Sequence, residues 1–195
     1  MELEIKRQIV HALGVFTILL IQIFGQWYGA LIMLLISIIL LILGEYRKNR
    51  EKYKFLKIKP LDEFEDILED EFKTYERKEE LPFHGAIMFY VGCFLVTILF
   101  QPIIAIASIT VLALSDSLST LVGYFFGEHK LFINKKKSWE GSIIFFVTTF
   151  MVLLFFVSPI KALIIAVLVT FVEMLPNVDD NLTVPLATGF LIWLI

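Results

Sequence analysis

Three stretches of this chain carry no Asp, Glu, Lys or Arg at all: residues 8–44, 81–115 and 141–160. A helix needs about 20 apolar residues to cross the hydrocarbon core of a bilayer, so the first two stretches are long enough to cross twice. Backbone polar groups inside a bilayer must be satisfied within their own segment, which leaves helices as the spanning element for runs of this kind. The hydrophobic fraction of 58% exceeds that of soluble domains. The expectation is an all-α membrane bundle, one domain over residues 1–195, with about seven transmembrane helices.

Glycine, proline and polar clusters divide the runs. Spans are expected at residues 9–24, 30–43, 84–100, 103–127, 142–157, 161–172 and from 182 to the C-terminus. The sixth and seventh are shorter than a full crossing. Gly25-Gln26-Trp27-Tyr28-Gly29 reads as a tight interfacial turn. Residues 45–80 form a charged insertion. Within it Leu61, Phe64, Leu68, Phe72 and Tyr75 repeat with the period of an amphipathic helix lying on the membrane or over the bundle mouth. No small-residue cleavage site follows the first apolar run, so it reads as a retained span.

Lys and Arg set the orientation. Every one except Lys161 falls before span one, between spans two and three, or between spans four and five. This places the N-terminus and those loops in the cytoplasm, the active side of a cell-membrane protein. The net charge of −3 suggests no nucleic-acid partner. A single cysteine, Cys93, excludes an internal disulfide and a cysteine metal cluster.

Asp116 is the residue that most needs explaining. It lies about fourteen residues into span four, roughly 20 Å from the outer end. A carboxylate at that depth costs a few kcal/mol, so it faces a cavity or a partner. Ser119, Thr120, Gly123 and Gly127 follow it at helical spacing and make a small-residue groove. Gly123-x-x-x-Gly127 alone would read as close helix packing.

The next loop carries Lys130, Lys135, Lys136 and Lys137, then Ser138-Trp139-Glu140-Gly141. Ser138 with Glu140 can cap span five. Lysines beside a helix N-terminus and a glycine make a phosphate cradle. A third cluster, Glu173 with Asp179-Asp180-Asn181, holds more acid than a helix cap needs. Asn181 or Thr183 would cap span seven, with Pro185 in its first turn. Carboxylates with phosphate oxygens and water are what Mg²⁺ takes. His11 falls one turn after Arg7 on the entry helix. All three clusters sit at the same ends of their spans, where metal, cationic clamp and positioned acceptor would serve phosphoryl or nucleotidyl transfer.

The run from Asp116 to Gly127, followed by Lys137-Ser138-Trp139-Glu140-Gly141-Ser142, resembles the shared signature of CTP-using membrane lipid enzymes. These are the polyprenol (dolichol), phytol and diacylglycerol kinases and the phosphatidate cytidylyltransferases. Glu173 with Asp179 through Pro185, and the opening Glu4-x-Lys6-Arg7-x-x-x-His11, are similar to the kinase branch. The cytidylyltransferase ending, with its His-Gly-Gly and Asp-Arg-x-Asp patterns, is not found. Ser115 stands where the family usually has Gly before the Asp.

The resemblance implies a CTP-dependent kinase of an isoprenoid alcohol, of the dolichol kinase type, with membrane lipids around it. Asp116, Lys137 and Asp180 would be catalytic. Asp116, Asp179 and Asp180 would hold Mg²⁺. Gly123, Gly127, Lys136, Lys137, Ser138, Glu140 and Gly141 would bind the nucleotide, and Arg7, His11, Glu173 and Asn181 would support. The alternatives are a CDP-lipid synthase of the cytidylyltransferase type and, outside enzymes, a small transporter using Asp116 as an ion site. A transporter would often show inverted repeats, and none is visible.

Overall fold

The computed structural model describes residues 2–49 and 81–195. The amphipathic stretch at residues 61–75 lies outside the described residues. Those described form helices joined by short turns, with one isolated antiparallel bridge between Lys130 and Ser138.

Helix α1 (Glu2–Leu13) passes through a 3-10 turn (Gly14–Thr17) into α2 (Ile18–Lys48). Gly25 breaks α2, with φ +78 and ψ 169. A Cβ on Gly29 would lie 2.8 Å from the Leu20 carbonyl oxygen. Nine residues of straight helix would hold these two about 13 Å apart, so the chain folds back at Gly25. The turn expected from Gly25-Gln26-Trp27-Tyr28-Gly29 is therefore present, carried by a glycine in a conformation that other residues rarely adopt. Gln26 fastens it by donating to the carbonyls of Thr97 and Phe100 at 2.7 and 2.8 Å. The second arm runs to Lys48, past the expected end at residue 43.

Helix α3 (His84–Leu99) packs along α2. Gln101-Pro102 turns the chain into α4 (Pro102–Val111), a π-helical turn (Leu112–Asp116) and α5 (Ser117–Phe126), one continuous rod as expected for span four. Then follow α6 (Trp139–Leu153), α7 (Pro159–Glu173) and α8 (Asp180–Leu194). The last two have 15 residues each, about 22 Å long, short of the roughly 30 Å core of a bilayer.

The core gathers Met33, Cys93, Val96, Ile109, Leu112, Phe145, Ile165 and Val184, each fully buried. Four buried hydroxyls are satisfied on their own helices: Thr97, Ser108, Thr170 and Thr188 each donate to the carbonyl four residues back. The outside is apolar as well. Ile23, Trp27, Phe155, Ile160 and Trp193 are all more than 60% exposed. A soluble surface does not carry such patches, whereas lipid solvates them. Among the described residues two rods are long and apolar enough to cross a membrane, Glu4–Lys48 and Pro102–Phe126, and the first is folded into two arms at Gly25. The architecture is all-helical and consistent with an α-helical membrane protein.

Pro185 lies inside α8 rather than in its opening turn. Having no N–H, it leaves the carbonyl of Asn181, four residues back, without a helical donor. That oxygen points at Gly92 of α3, where a Cβ would lie 2.1 Å from it. The proline and the glycine together explain how closely α8 approaches α3.

Candidate active site

The start of α1, the lower half of the α4–α5 rod, the starts of α6 and α8 and the end of α7 meet at one end of the bundle. They enclose a cavity of about 450 Å³. Its wall contains Glu4, Asp116, Ser119, Gly123, Lys130, Lys136, Lys137, Gly141, Glu173 and Asp180, among others. The three sequence clusters are thus brought to one place. Tyr124, Leu175 and Val178 also line it and are half exposed, so one rim is apolar.

Asp116 ends the π-helical turn. The wider turn shifts the register of the rod by part of a turn, a device that recurs at functional sites. The sequence does not announce it, since Leu112-Ala113-Leu114-Ser115-Asp116 would serve equally in an α-helix. His11 Nε2 sits 3.4 Å from Asp116 Oδ2. This contact brings the entry helix to the cavity. Arg7 itself pairs with Glu4, and Gln8 donates to the same Glu4 oxygen at 3.0 Å. Glu4, which the sequence reading left without a role, is thereby held at the wall.

Lys137 is the centre of the ion pairs. Its Nζ lies 2.7 Å from Asp180 Oδ2 and 3.0 Å from Glu173 Oε1, and it also donates to the Glu173 backbone carbonyl. Glu173 Oε2 accepts from Ser142 Oγ at 3.0 Å. Burial disfavours the charge on Lys137, but Asp180 and Glu173 outweigh burial, and its pKa is raised. The ammonium therefore stays charged across the whole neutral range. Asp180 Oδ1 is buried without a partner.

The loop that carries Lys137 is a small hairpin. Leu131 N donates to Lys137 O at 3.1 Å, and Trp139 N to His129 O at 2.9 Å. Asn134, buried at 8% exposure, donates through Nδ2 to Leu175 O and accepts from Lys136 N, both at 3.2 Å. It pins the hairpin to the loop before α8. An asparagine between an isoleucine and a lysine carries no such signal in sequence, and it was missed for that reason.

Several expected roles change on seeing the geometry. Ser138 caps α6, accepting from Gly141 N at 3.2 Å, as expected. Glu140 does not help it. It turns back to accept from His129 N at 3.2 Å and meets the His129 ring at 2.6 Å, outside the cavity wall. Asp179, not Asn181, caps α8 by accepting from Asn181 N at 3.0 Å. Its other oxygen faces His84 at 3.7 Å, and it does not line the cavity. A Cβ on Gly127 would meet Gly123 O at 2.2 Å and Ser138 Oγ at 2.6 Å, so Gly127 is a packing residue. Gly123 and Gly141 do face the cavity, and each is also packed against its neighbour helix.

Among the described residues, no three His, Cys, Asp or Glu side chains come together as a self-contained metal cage. Mg²⁺ does not require one: it is commonly held by one or two carboxylates together with substrate phosphates. Asp116 and Asp180 are hard oxygen donors on the same wall, and the unpartnered buried Asp180 Oδ1 fits that role.

The chain is similar to curated phytol kinases. A probable chloroplastic phytol kinase of Triticum aestivum is 30% identical over 142 residues, 63% of this chain and 47% of that protein. A probable chloroplastic phytol kinase 1 of Oryza sativa subsp. japonica is 35% identical over 136 residues, 59% of this chain and 43% of that protein. A phytol kinase of Synechocystis sp. is 33% identical over 103 residues, 47% of this chain and 44% of that protein. The matched segments are thus under half the length of these relatives. No family model matches the chain, and no solved structure does. Over 47–63% of its length the chain is thus similar to proteins named phytol kinases.

Proposed function

We propose that the chain is a membrane lipid kinase that transfers the γ-phosphate of a nucleotide to the hydroxyl of an isoprenoid alcohol. The observation that carries this reading is the make-up of the cavity around Asp116 and Asp180. Asp116 and Asp180 share its wall with the loop lysines, and Tyr124, Leu175 and Val178 form an apolar rim. A polyphosphate needs the first two features, and an amphiphilic acceptor needs the third. The relatives named phytol kinases support the same acceptor class. We take phytol, the alcohol in those names, as the first acceptor to test, ahead of the long polyprenols of the dolichol kinase type. CTP as donor is the family expectation. We further take the N-terminus and the cavity to face the cytoplasm, in a cell membrane crossed about seven times by one domain.

Phosphoryl transfer proceeds through a loose transition state, so positioning and charge neutralisation matter more than a strong base. Asp116 and Asp180 would hold Mg²⁺, which when bound neutralises charge on the phosphates. His11 Nε2 faces the Asp116 carboxylate from one side. Lys137, fixed by Glu173, orients the Asp180 carboxylate toward the cavity. Asp180 Oδ1, without a partner in the protein, is the oxygen that would reach the metal. The apolar rim lets the acceptor's chain stay in lipid while its head group enters.

The test is turnover by the purified chain in detergent with Mg²⁺, γ-labelled CTP or ATP, and a panel of phytol, geranylgeraniol, polyprenols and diacylglycerol. Label in the lipid phase establishes the kinase and ranks donor and acceptor. Pyrophosphate release with phosphatidate, and no label transferred to any alcohol, would instead assign a cytidylyltransferase.

A further inference from the structure

The cavity holds positive charge that its ion pairs do not use. An ammonium has three N–H donors, and those of Lys137 go to Asp180, to the Glu173 carboxylate and to the Glu173 carbonyl. Two acids already share this one ammonium, and Asp116 stands on the same wall. A polyphosphate that relied on Lys137 would have to break a buried, fully paired ammonium away from its carboxylates. Lys130 and Lys136 line the same cavity, are exposed, and make no ion pair among the described residues. Their backbones are fixed. Lys130 is bridged to Ser138, and Lys136 N is held by the buried Asn134.

We propose that Lys130 and Lys136 form the clamp for the nucleotide's phosphates, and that Lys137, which the resemblance groups with Lys136 for that task, is a positioning residue for Asp180. The proposal deepens the kinase reading and rests on it only for the identity of the polyphosphate as a nucleotide. Two ammoniums on a hairpin closed by backbone hydrogen bonds present charge without much loss of chain freedom. Their exposure makes the attraction sensitive to salt.

The probe is inorganic tripolyphosphate, titrated calorimetrically into the full chain in detergent at low and high ionic strength. Lys130→Gln with Lys136→Gln should weaken binding about a hundredfold, on the order of tenfold for each charge-assisted contact, and should flatten the salt dependence. The corresponding Lys→Arg pair, which keeps the charge, should stay within about threefold of the wild type. Lys137→Met alone would strand Glu173, so the comparison is Lys137→Met with Glu173→Gln, which should also bind tripolyphosphate within about threefold. In turnover the first pair should raise the nucleotide KM and the last should lower kcat.

The proposal is overturned if the double Gln variant binds like the wild type, if the Lys137 pair loses binding as severely, or if the wild type does not bind tripolyphosphate. These outcomes separate from the parent reading. Binding lost as expected, with no alcohol phosphorylated, keeps the clamp and removes the kinase. Turnover that is indifferent to Lys130 and Lys136 keeps the kinase and removes the clamp.

Discussion

Replacing Lys137 by methionine should destabilise the protein more than any exposed charge substitution. The side chain of Glu173 is 4% exposed, that of Lys137 19% and that of Asp180 21%. At an effective dielectric of about 20, unit charges 3.0 Å apart attract by about 5–6 kcal/mol, before desolvation is subtracted. Desolvation of the pair offsets much of that gain, but it is already incurred by Glu173 whether or not Lys137 is present. Removing one partner of a buried pair therefore costs about 3–5 kcal/mol. For a chain of this size each kcal/mol lowers Tm by about 2–4 °C, so the loss should be on the order of 6–20 °C. Adding Glu173→Gln to Lys137→Met removes the stranded charge, and Ser142 can still donate to the amide oxygen. The double variant should recover about half of the loss or more, because the two sites share one network. Thermal unfolding in detergent, followed by circular dichroism, measures all four corners of the cycle. A Lys137→Met loss below about 1 kcal/mol, with no recovery in the double variant, would be incompatible with a buried pair, since exposed pairs behave that way.

Three further outcomes follow from the geometry. Asp116→Asn, which keeps shape and removes charge, should lower turnover by on the order of a hundredfold or more while Tm stays near wild type; near-normal turnover would remove Asp116 from the chemistry. Gly92→Ala should destabilise by about 1–3 kcal/mol, because the added methyl must displace the Asn181 carbonyl by over an ångström, and unfolding at the wild-type temperature would contradict the close α3–α8 contact. The hydrogen bond and charge of Glu140 raise the pKa of His129 above its ordinary 6.5. This tether is thus at full strength below 6.5 and is lost as pH rises through the raised value. NMR titration of the His129 ring should show that raised midpoint and Glu140→Gln should return it towards 6.5; an unshifted wild-type midpoint would mean that the hairpin is not tied there.

Membrane character, helix class and most of the helix ends were legible in the sequence, because lipid imposes its demand residue by residue. An uncharged run of sufficient length has few alternatives to a helix, and Gly25, Pro102 and Pro159 act locally on the backbone wherever they stand. The candidate site was legible by residue type, since a carboxylate at Asp116's depth and a lysine loop beside a capped helix are each costly or unusual on their own. Their division of labour was not. That Lys137 spends all three donors on Glu173 and Asp180, that Glu140 turns to His129, and that Asp179 caps α8 while Asp180 faces the cavity all depend on which helix ends lie within about 3 Å of one another. Neighbouring acids in sequence, Asp179 and Asp180, point to different partners because a helix N-terminus separates a cap from its first turn. The π-helical turn before Asp116 and the Gly92–Pro185 contact likewise come from packing between distant segments. Chain order alone settles where helices can form and which residues are chemically conspicuous. Which charges are already neutralised and which remain open to a ligand is settled by packing, because ion pairing falls off over a few ångströms and chain order does not encode distances that short.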